Sequence, residues 1–335
     1  MYFSDISNAC EDHIEVGDVL EEFDFSITDL DTASHAVTDY AVARLEAIAK
    51  GHPKPLSLMV SGGVDSLHML ASAVKAGIDV VAYTFSWPGS EKAEQELATA
   101  KAVCDALGVV HVPVRPTDRE MEKMLAGVTQ KLQTSEPWEV LSGVVLYALA
   151  DRIPEDSAII SSAGADTLLR GGKEFAPSRA ESDTLGRWEA QVKSDIRRGF
   201  THHRFIPDFH KRILGKQAKR YFKLWQTRQA VDLAGHLHPQ VVRGENWKAD
   251  KLVIRNAARQ LGVAAKYTLA DKEPMQVSSG GIGAIEKLVR GELAHQFRGR
   301  TYSNPETEDI EFILARLYLD RLWARAAAWP AHYRN

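Results

Sequence analysis

The sequence predicts an α/β fold: a parallel sheet with helices on both faces, followed by a mainly helical C-terminal part. Three observations carry this prediction. Short apolar or β-branched runs alternate with helical stretches between residues 56 and 162, the pattern of successive βα units. The first of those runs stops at two adjacent glycines and passes directly into a helix, the arrangement of an anion-binding turn. Beyond residue 165 helical periodicity prevails.

Val37, Ala41, Leu45 and Ile48 stand at helical spacing in 34–50, and Gly51, Pro53 and Pro55 end that helix. Residues 56–60 form an apolar strand and 67–75 a helix; 80–85 is β-branched and aromatic, and 91–107 is an Ala/Glu/Lys-rich helix closed by Gly108. Residues 109–114 read as a strand, followed by helices near 117–130 and 139–151 and a strand over 158–162. The later helices fall at 250–261, 283–293 and 306–327. The chain thus divides into an acidic arm and helix (1–50), a nucleotide-binding α/β core (51–192) and a mainly helical substrate or lid region that completes the domain (193–335).

At 335 residues, 44% hydrophobic and 26% charged, the chain has an ordinary globular composition, which excludes disordered and collagen-like classes. Cys10 and Cys104 are too few for a zinc cluster or disulfide framework, and no apolar run approaches the ~18 residues of a membrane span. A cytoplasmic protein without membrane partners is expected. Charge is unevenly spread: residues 1–43 hold eleven Asp/Glu and no Lys/Arg, whereas 193–228 hold eleven Lys/Arg against Asp195 and Asp208.

The chemistry concentrates in Ser61-Gly62-Gly63-Val64-Asp65-Ser66. The glycines let backbone N–H groups approach an anion, the helix N-terminus adds positive potential, and Ser61 and Ser66 add hydroxyls. Asp65 would repel a bare anion, so its presence implies Mg²⁺ between carboxylate and phosphate.

This string resembles the pyrophosphate loop of the N-type ATP pyrophosphatases, also called PP-loop enzymes. Four further segments resemble, in order, the synthetase domain of the asparagine synthetase family: Tyr83 to Ser90, Ser161-Ser162-Ala163-Gly164-Ala165-Asp166-Thr167-Leu168-Leu169, Lys251-Leu252-Val253-Ile254-Arg255, and Lys272 to Gln276 with Ser278-Ser279-Gly280. The resemblance implies an adenine nucleotide alpha hydrolase-like fold and an AMP-forming ligase. In that enzyme Ser61, Gly62, Gly63, Val64, Asp65 and Ser66 bind the ATP phosphates. Asp65 and Asp166 hold Mg²⁺, and Met59, Phe85, Ser161, Ser162 and Gly164 surround the nucleotide. Lys272 neutralises pyrophosphate and Lys251 joins the catalytic set. Structural alternatives are an N-cap for Asp166, a solvated loop lysine for Lys272 and an exposed helix face for Lys251 and Arg255.

Two departures point to a changed acceptor. Tyr2 stands where glutamine-using relatives carry a nucleophilic cysteine, and only sixty residues precede the loop, so no glutaminase domain is expected. The nitrogen would then be free ammonia, another amine, or ammonia delivered by a partner subunit. Ala163 and Thr167 replace two family glutamates, and Ala270 replaces an arginine. The partners expected are therefore a small-molecule acceptor and an amine donor. One alternative is a PP-loop enzyme modifying a nucleobase, tRNA or DNA; another is an inactive nucleotide-binding module. Sulfur transfer lacks a reactive cysteine pair.

The stretch 193–228 interleaves its cations with Phe200, Phe205, Phe209, Tyr221, Phe222 and Trp225. Three readings are open: it binds nucleic acid or a nucleotide by phosphate contact and stacking, it binds a small anionic acceptor, or it buries its aromatics and leaves its cations on a solvated helix face, paired with the acidic arm of residues 1–31. Residues 170–190 and 271–281, polar and rich in Gly, Ser and Pro, are expected to be loose without ligand and to close over ATP.

Overall fold

The computed structural model describes residues 23–87, 89–201, 206, 208–269, 281–288, 290, 304 and 307–327. Five parallel strands form one sheet in the order β3-β2-β1-β4-β5: β1 (Leu56–Met59), β2 (Val80–Phe85), β3 (Val110–Val114), β4 (Ile159–Ser161) and β5 (Tyr221–Lys223). The chain winds outward from β1 to β3, then returns to lay β4 on the other side of β1. The loops after β1 and β4 therefore diverge, and the crevice between them at the carboxyl edge is where ligands bind in such sheets.

Alternation along the strands sends side chains to two cores. Leu56, Leu58, Val80, Ala82, Ile160 and Phe222 join one, with α1 (Leu30–Gly51), α2 (Val64–Lys75), α7 (Glu181–Ile196) and α11 (Leu252–Gln260). Tyr83, Ile159 and Tyr221 join the other, with α4 (Asp118–Leu132), α5 (Pro137–Arg152), α8 (Phe209–Leu214) and the helix Ile310–Ala327. Local chemistry sets several helix ends: Ser90 accepts from the Ala93 N–H to start α3 (Glu91–Leu107), Gly108 closes it at φ +68°, and Thr117 with Glu120 forms a capping box on α4.

The structure departs from expectation in two places. The short strand β5 lies inside the basic stretch, in the part of the chain expected to be mainly helical, and extends the sheet beyond β4. Residues 181–190, expected to be part of a loose lid, belong to helix α7: Trp188 is buried, and Phe175 packs edge-on against it with ring centroids 5.1 Å apart. The described segment 23–29 of the acidic arm lies along α9 (Arg228–His236), with Phe25 N–H donating to Gly235 O (3.0 Å) and Ile27 N–H to His236 O (2.8 Å), and Lys193 of the basic stretch stands 5.2 Å from the Phe23 ring centroid; residues 1–22, with most of the arm's acids, lie outside the described residues. Asp24 accepts from His236 at 2.8 Å. Residues 271–280 and Tyr2 lie outside the described residues.

Candidate active site

The loop after β1 is shaped by its own hydroxyl and by space. Ser66 Oγ donates to Gly63 O (2.8 Å) and accepts from the Ser61 N–H (3.1 Å), which folds the turn back onto the first turn of α2. Gly62 has φ +76°, and a Cβ there would lie 2.6 Å from Glu96 O, so no side chain is tolerated. Gly63 is the N-cap of α2, so the helix points its free N–H groups at the turn. The loop after β4 is held in the same way: Gly164, at φ +102°, packs against the Trp225 backbone, where a Cβ would lie 2.7 Å from the carbonyl carbon.

Between the two loops stands an ion triad. Lys251 Nζ donates to Asp65 Oδ2 at 2.7 Å and to Asp166 Oδ1 at 2.6 Å. The lysine is fully buried and adopts φ 50°, ψ 46° at the N-cap of α11, a left-handed conformation that costs a non-glycine residue about 1–2 kcal/mol. Arg255 is also buried and donates to the main-chain oxygens of Asp250 (2.6 Å) and Thr268. The exposed-helix-face reading of Lys251 and Arg255 is therefore wrong: long-range pairing, not i,i+4 contact, fixes both. Asp166 is not an N-cap either. That position in α6 (Ala165–Leu168) belongs to Gly164, and Asp166 turns its half-exposed carboxylate toward Lys251.

A cavity of about 290 Å³ opens along these loops, near the lower end of ligand pockets. Met59, Ser61, Gly63, Asp65, Phe85, Ser161, Ser162, Gly164 and Asp166 all line it, so residues about a hundred positions apart meet there, whereas Gly62, Val64, Ser66 and Lys251 are not among its lining. Sequence reasoning missed the far wall, made by Ser142, Val145, Leu146 and Leu149 of α5 with Phe209, His210 and Tyr221. His210 stacks on Tyr221 (4.9 Å, 21° between planes), and Tyr221 hydrogen-bonds Ser161 at 2.9 Å. The aromatic content of the basic stretch was the available signal, and it points inward: Phe200, Phe209, Tyr221, Phe222 and Trp225 are all buried, so these five rings are not offered for stacking at the surface. Lys223 is buried as well. Phe205 and Lys272 lie outside the described residues.

Asp65 and Asp166 suit a magnesium ion shared with a polyphosphate, since Mg²⁺ commonly takes one or two carboxylates and fills its other positions with phosphate oxygens and water. Among the described residues no cluster of three or more His, Cys, Asp or Glu could hold a metal by itself. Burial pushes the Cys104 thiol up to about 11, so it is no thiolate at neutral pH.

Among the described residues no helix is long and apolar enough to cross a membrane. A search of curated proteins gives no match. Among solved structures, NMN synthetase from Francisella tularensis is 14% identical, with 74% of this chain and 99% of that chain covered and a TM-score of 0.30, a likeness too distant to inform the chemistry. Residues 52–260, which contain all five strands, both loops of the crevice and Lys251, match the model of the asparagine synthase family. With well over half its length so matched, the chain belongs to the asparagine synthase family and is an ATP-utilising synthetase of the PP-loop kind.

Proposed function

We propose that the protein is an AMP-forming ligase: it adenylates a carboxylate or amide oxygen of a small acceptor and passes the activated group to a nitrogen nucleophile. The observation that carries this reading is the buried Lys251 held in a left-handed conformation between Asp65 and Asp166. A strained, dehydrated cation between two carboxylates at a ligand crevice is a costly feature, and such features mark functional sites more than structural ones.

In this reading the adenosine lies against the main chain of Met59, Phe85 and Ser162, with the α5, His210 and Tyr221 wall excluding water from the base. The N–H groups and hydroxyls of residues 61–66 hold the phosphates. Asp65 and Asp166 would hold Mg²⁺, which when bound with ATP supplies neutralisation of phosphate charge. The acceptor oxygen displaces pyrophosphate from the α-phosphorus, so one P–O bond forms as another breaks. The amine then attacks the activated carbon, loses a proton and expels AMP. Pre-aligned loop amides stabilise the charge that accumulates on the leaving group, the kind of term that dominates catalysis without a dedicated acid or base. Lys272, at the end of that path in the family pattern, would neutralise departing pyrophosphate.

The test is incubation of the full chain with ATP labelled at the α-phosphate, Mg²⁺ and a small-molecule cell extract. AMP and pyrophosphate should appear in equal amounts with a new amide product, and neither should appear with D65N. Formation of ADP, or AMP release unaffected by D65N, would overturn the assignment.

A further inference from the structure

We propose that Trp87 is a base-recognition residue: its indole N–H donates a hydrogen bond to a ring nitrogen of the nucleotide base. This rests on the ligase reading and names the side chain that sets which base is accepted.

Trp87 follows the end of β2 by two residues and lines the cavity together with Tyr83 and Phe85. It is 1% exposed, and its Nε1 is buried with no hydrogen-bond partner. An enclosed donor without an acceptor bears the full cost of its lost hydration, so folded proteins seldom keep one except where a ligand or an ordered water completes it. Elsewhere on the same wall the polar atoms are matched: the Tyr221 hydroxyl and Ser161 Oγ stand 2.9 Å apart. The indole N–H is therefore the part of this wall that a ligand has to satisfy.

The ring is also held in place before any ligand arrives. Ser86 N–H donates to Val114 O (2.9 Å), Ser86 Oγ to Glu94 Oε1 (2.8 Å) and Ser90 N–H to Trp87 O (3.3 Å), so the turn that carries the indole is tied at three points. Phe85 packs on the indole nearly at right angles, with ring centroids 4.9 Å apart and 82° between planes. Gly281, which opens the helix Gly281–Leu288, covers it from another side: a Cβ there would lie 2.8 Å from Cε2 and 3.0 Å from both Nε1 and Cζ2. The nearest of the three is the ring-junction carbon, so this contact stands over a ring face and not along the N–H bond, which lies in the ring plane. With the adenosine against the main chain of Phe85, the base comes beside this donor. Purine ring nitrogens carry in-plane lone pairs that accept such a bond. A donor fixed in a dry wall rejects a base without the matching acceptor, because the N–H is then left unpaired.

The experiment uses the full chain labelled with ¹⁵N at its tryptophan indoles, with Mg²⁺ and ATP or its 1-deaza, 3-deaza and 7-deaza analogues as probes and no acceptor present. In the wild type the Trp87 indole proton should move downfield on saturation with ATP. The analogue that lacks the accepting nitrogen should leave it in place and bind about fivefold more weakly. W87F, which assigns the resonance, should lose about fivefold in affinity for ATP and nothing for that one analogue, a selectivity that lost packing does not produce. If W87F fails to fold, W87Y assigns the resonance and the wild-type shifts decide. An indole resonance that ATP leaves unmoved, or a loss in W87F equal for ATP and all three analogues, overturns the proposal and leaves the ligase reading standing. Failure of ATP to bind the wild type overturns the ligase reading itself, and this inference with it.

Discussion

The two ends of the crevice are built on opposite physical terms. At the end proposed for the nucleotide the features are closed except for half-exposed Asp166: Gly62 has no room for a side chain, Ser66 ties the turn to its helix, and Lys251 is fully buried between its carboxylates. At the end proposed for the acceptor, small and uncharged Ala163 lines the cavity and Thr167 lies against Gly199, beside Arg198, whose side chain is largely in water. Burial makes the first end intolerant of change, because each altered group leaves a partner stranded without solvent. Exposure makes the second adjustable, because a lost charge there is replaced by water.

This contrast is sharpened most strongly at Lys251. Lys251→Met strands the buried Asp65 and should cost about 3–5 kcal/mol of stability in denaturant unfolding, with AMP formation abolished. A loss below about 1 kcal/mol would mean that the triad behaves as a solvated pair.

Behind the nucleotide loop, His68 of α2 is enclosed, and burial lowers its pKa to about 4, with Asp65 pulling it up and Lys75 pressing it down. Above its ordinary value of 6.5 both folded and unfolded states are neutral and His68 contributes nothing to pH dependence. As pH falls below 6.5 the unfolded chain binds a proton that the folded chain refuses, so stability declines until about pH 4. Over that window the wild type should lose about 3 kcal/mol more than His68→Gln, read as the difference between their unfolding free energies at the two pH values. Parallel pH profiles for the two proteins would refute the buried neutral imidazole.

Gly62→Ala adds a Cβ where Glu96 O stands at 2.6 Å and forces alanine to φ +76°. About 1–3 kcal/mol should be lost, and affinity for ATP should fall with it, since the turn must shift. Unchanged nucleotide affinity would separate the turn from phosphate binding. The smallest effect is expected at Tyr221→Phe, which removes one hydroxyl contact to Ser161 and should cost about 1 kcal/mol with little change in nucleotide affinity.

The readable parts of the fold were those that carry their own punctuation. The Glu91–Leu107 helix lies between Ser90 and Gly108, residues that cap it through local hydrogen bonds, and the Val80–Phe85 strand is β-branched or aromatic at every position but Ala82. The strand Tyr221–Lys223 has only three residues and no turn signals, and its pairing with Ile159–Ser161 joins residues 62 positions apart, which no local pattern encodes. Helix α7 did carry a signal, with Leu185, Trp188, Val192 and Ile196 on one face, but its glycine, serine and charge content reads as a loop.

The site divides in the same way. Residues 61–66 were legible because loop chemistry is contiguous, whereas the burial of Lys251 depends on Asp65 and Asp166, 186 and 85 positions away. The wall formed by α5, His210 and Tyr221 comes entirely from tertiary packing. The aromatics of the basic stretch showed that something was buried or stacked, and only the packing decides which.

The most direct measurement of the central claim, that the Asp65–Lys251–Asp166 triad serves the nucleotide, is calorimetric titration of Mg²⁺ and α,β-methylene-ATP into the wild type and D166N. Asp166 is half exposed, so the variant should melt with the wild type. The account predicts single-site binding to the wild type and affinity weaker by about tenfold or more in D166N. Equal affinity in the two proteins would contradict it.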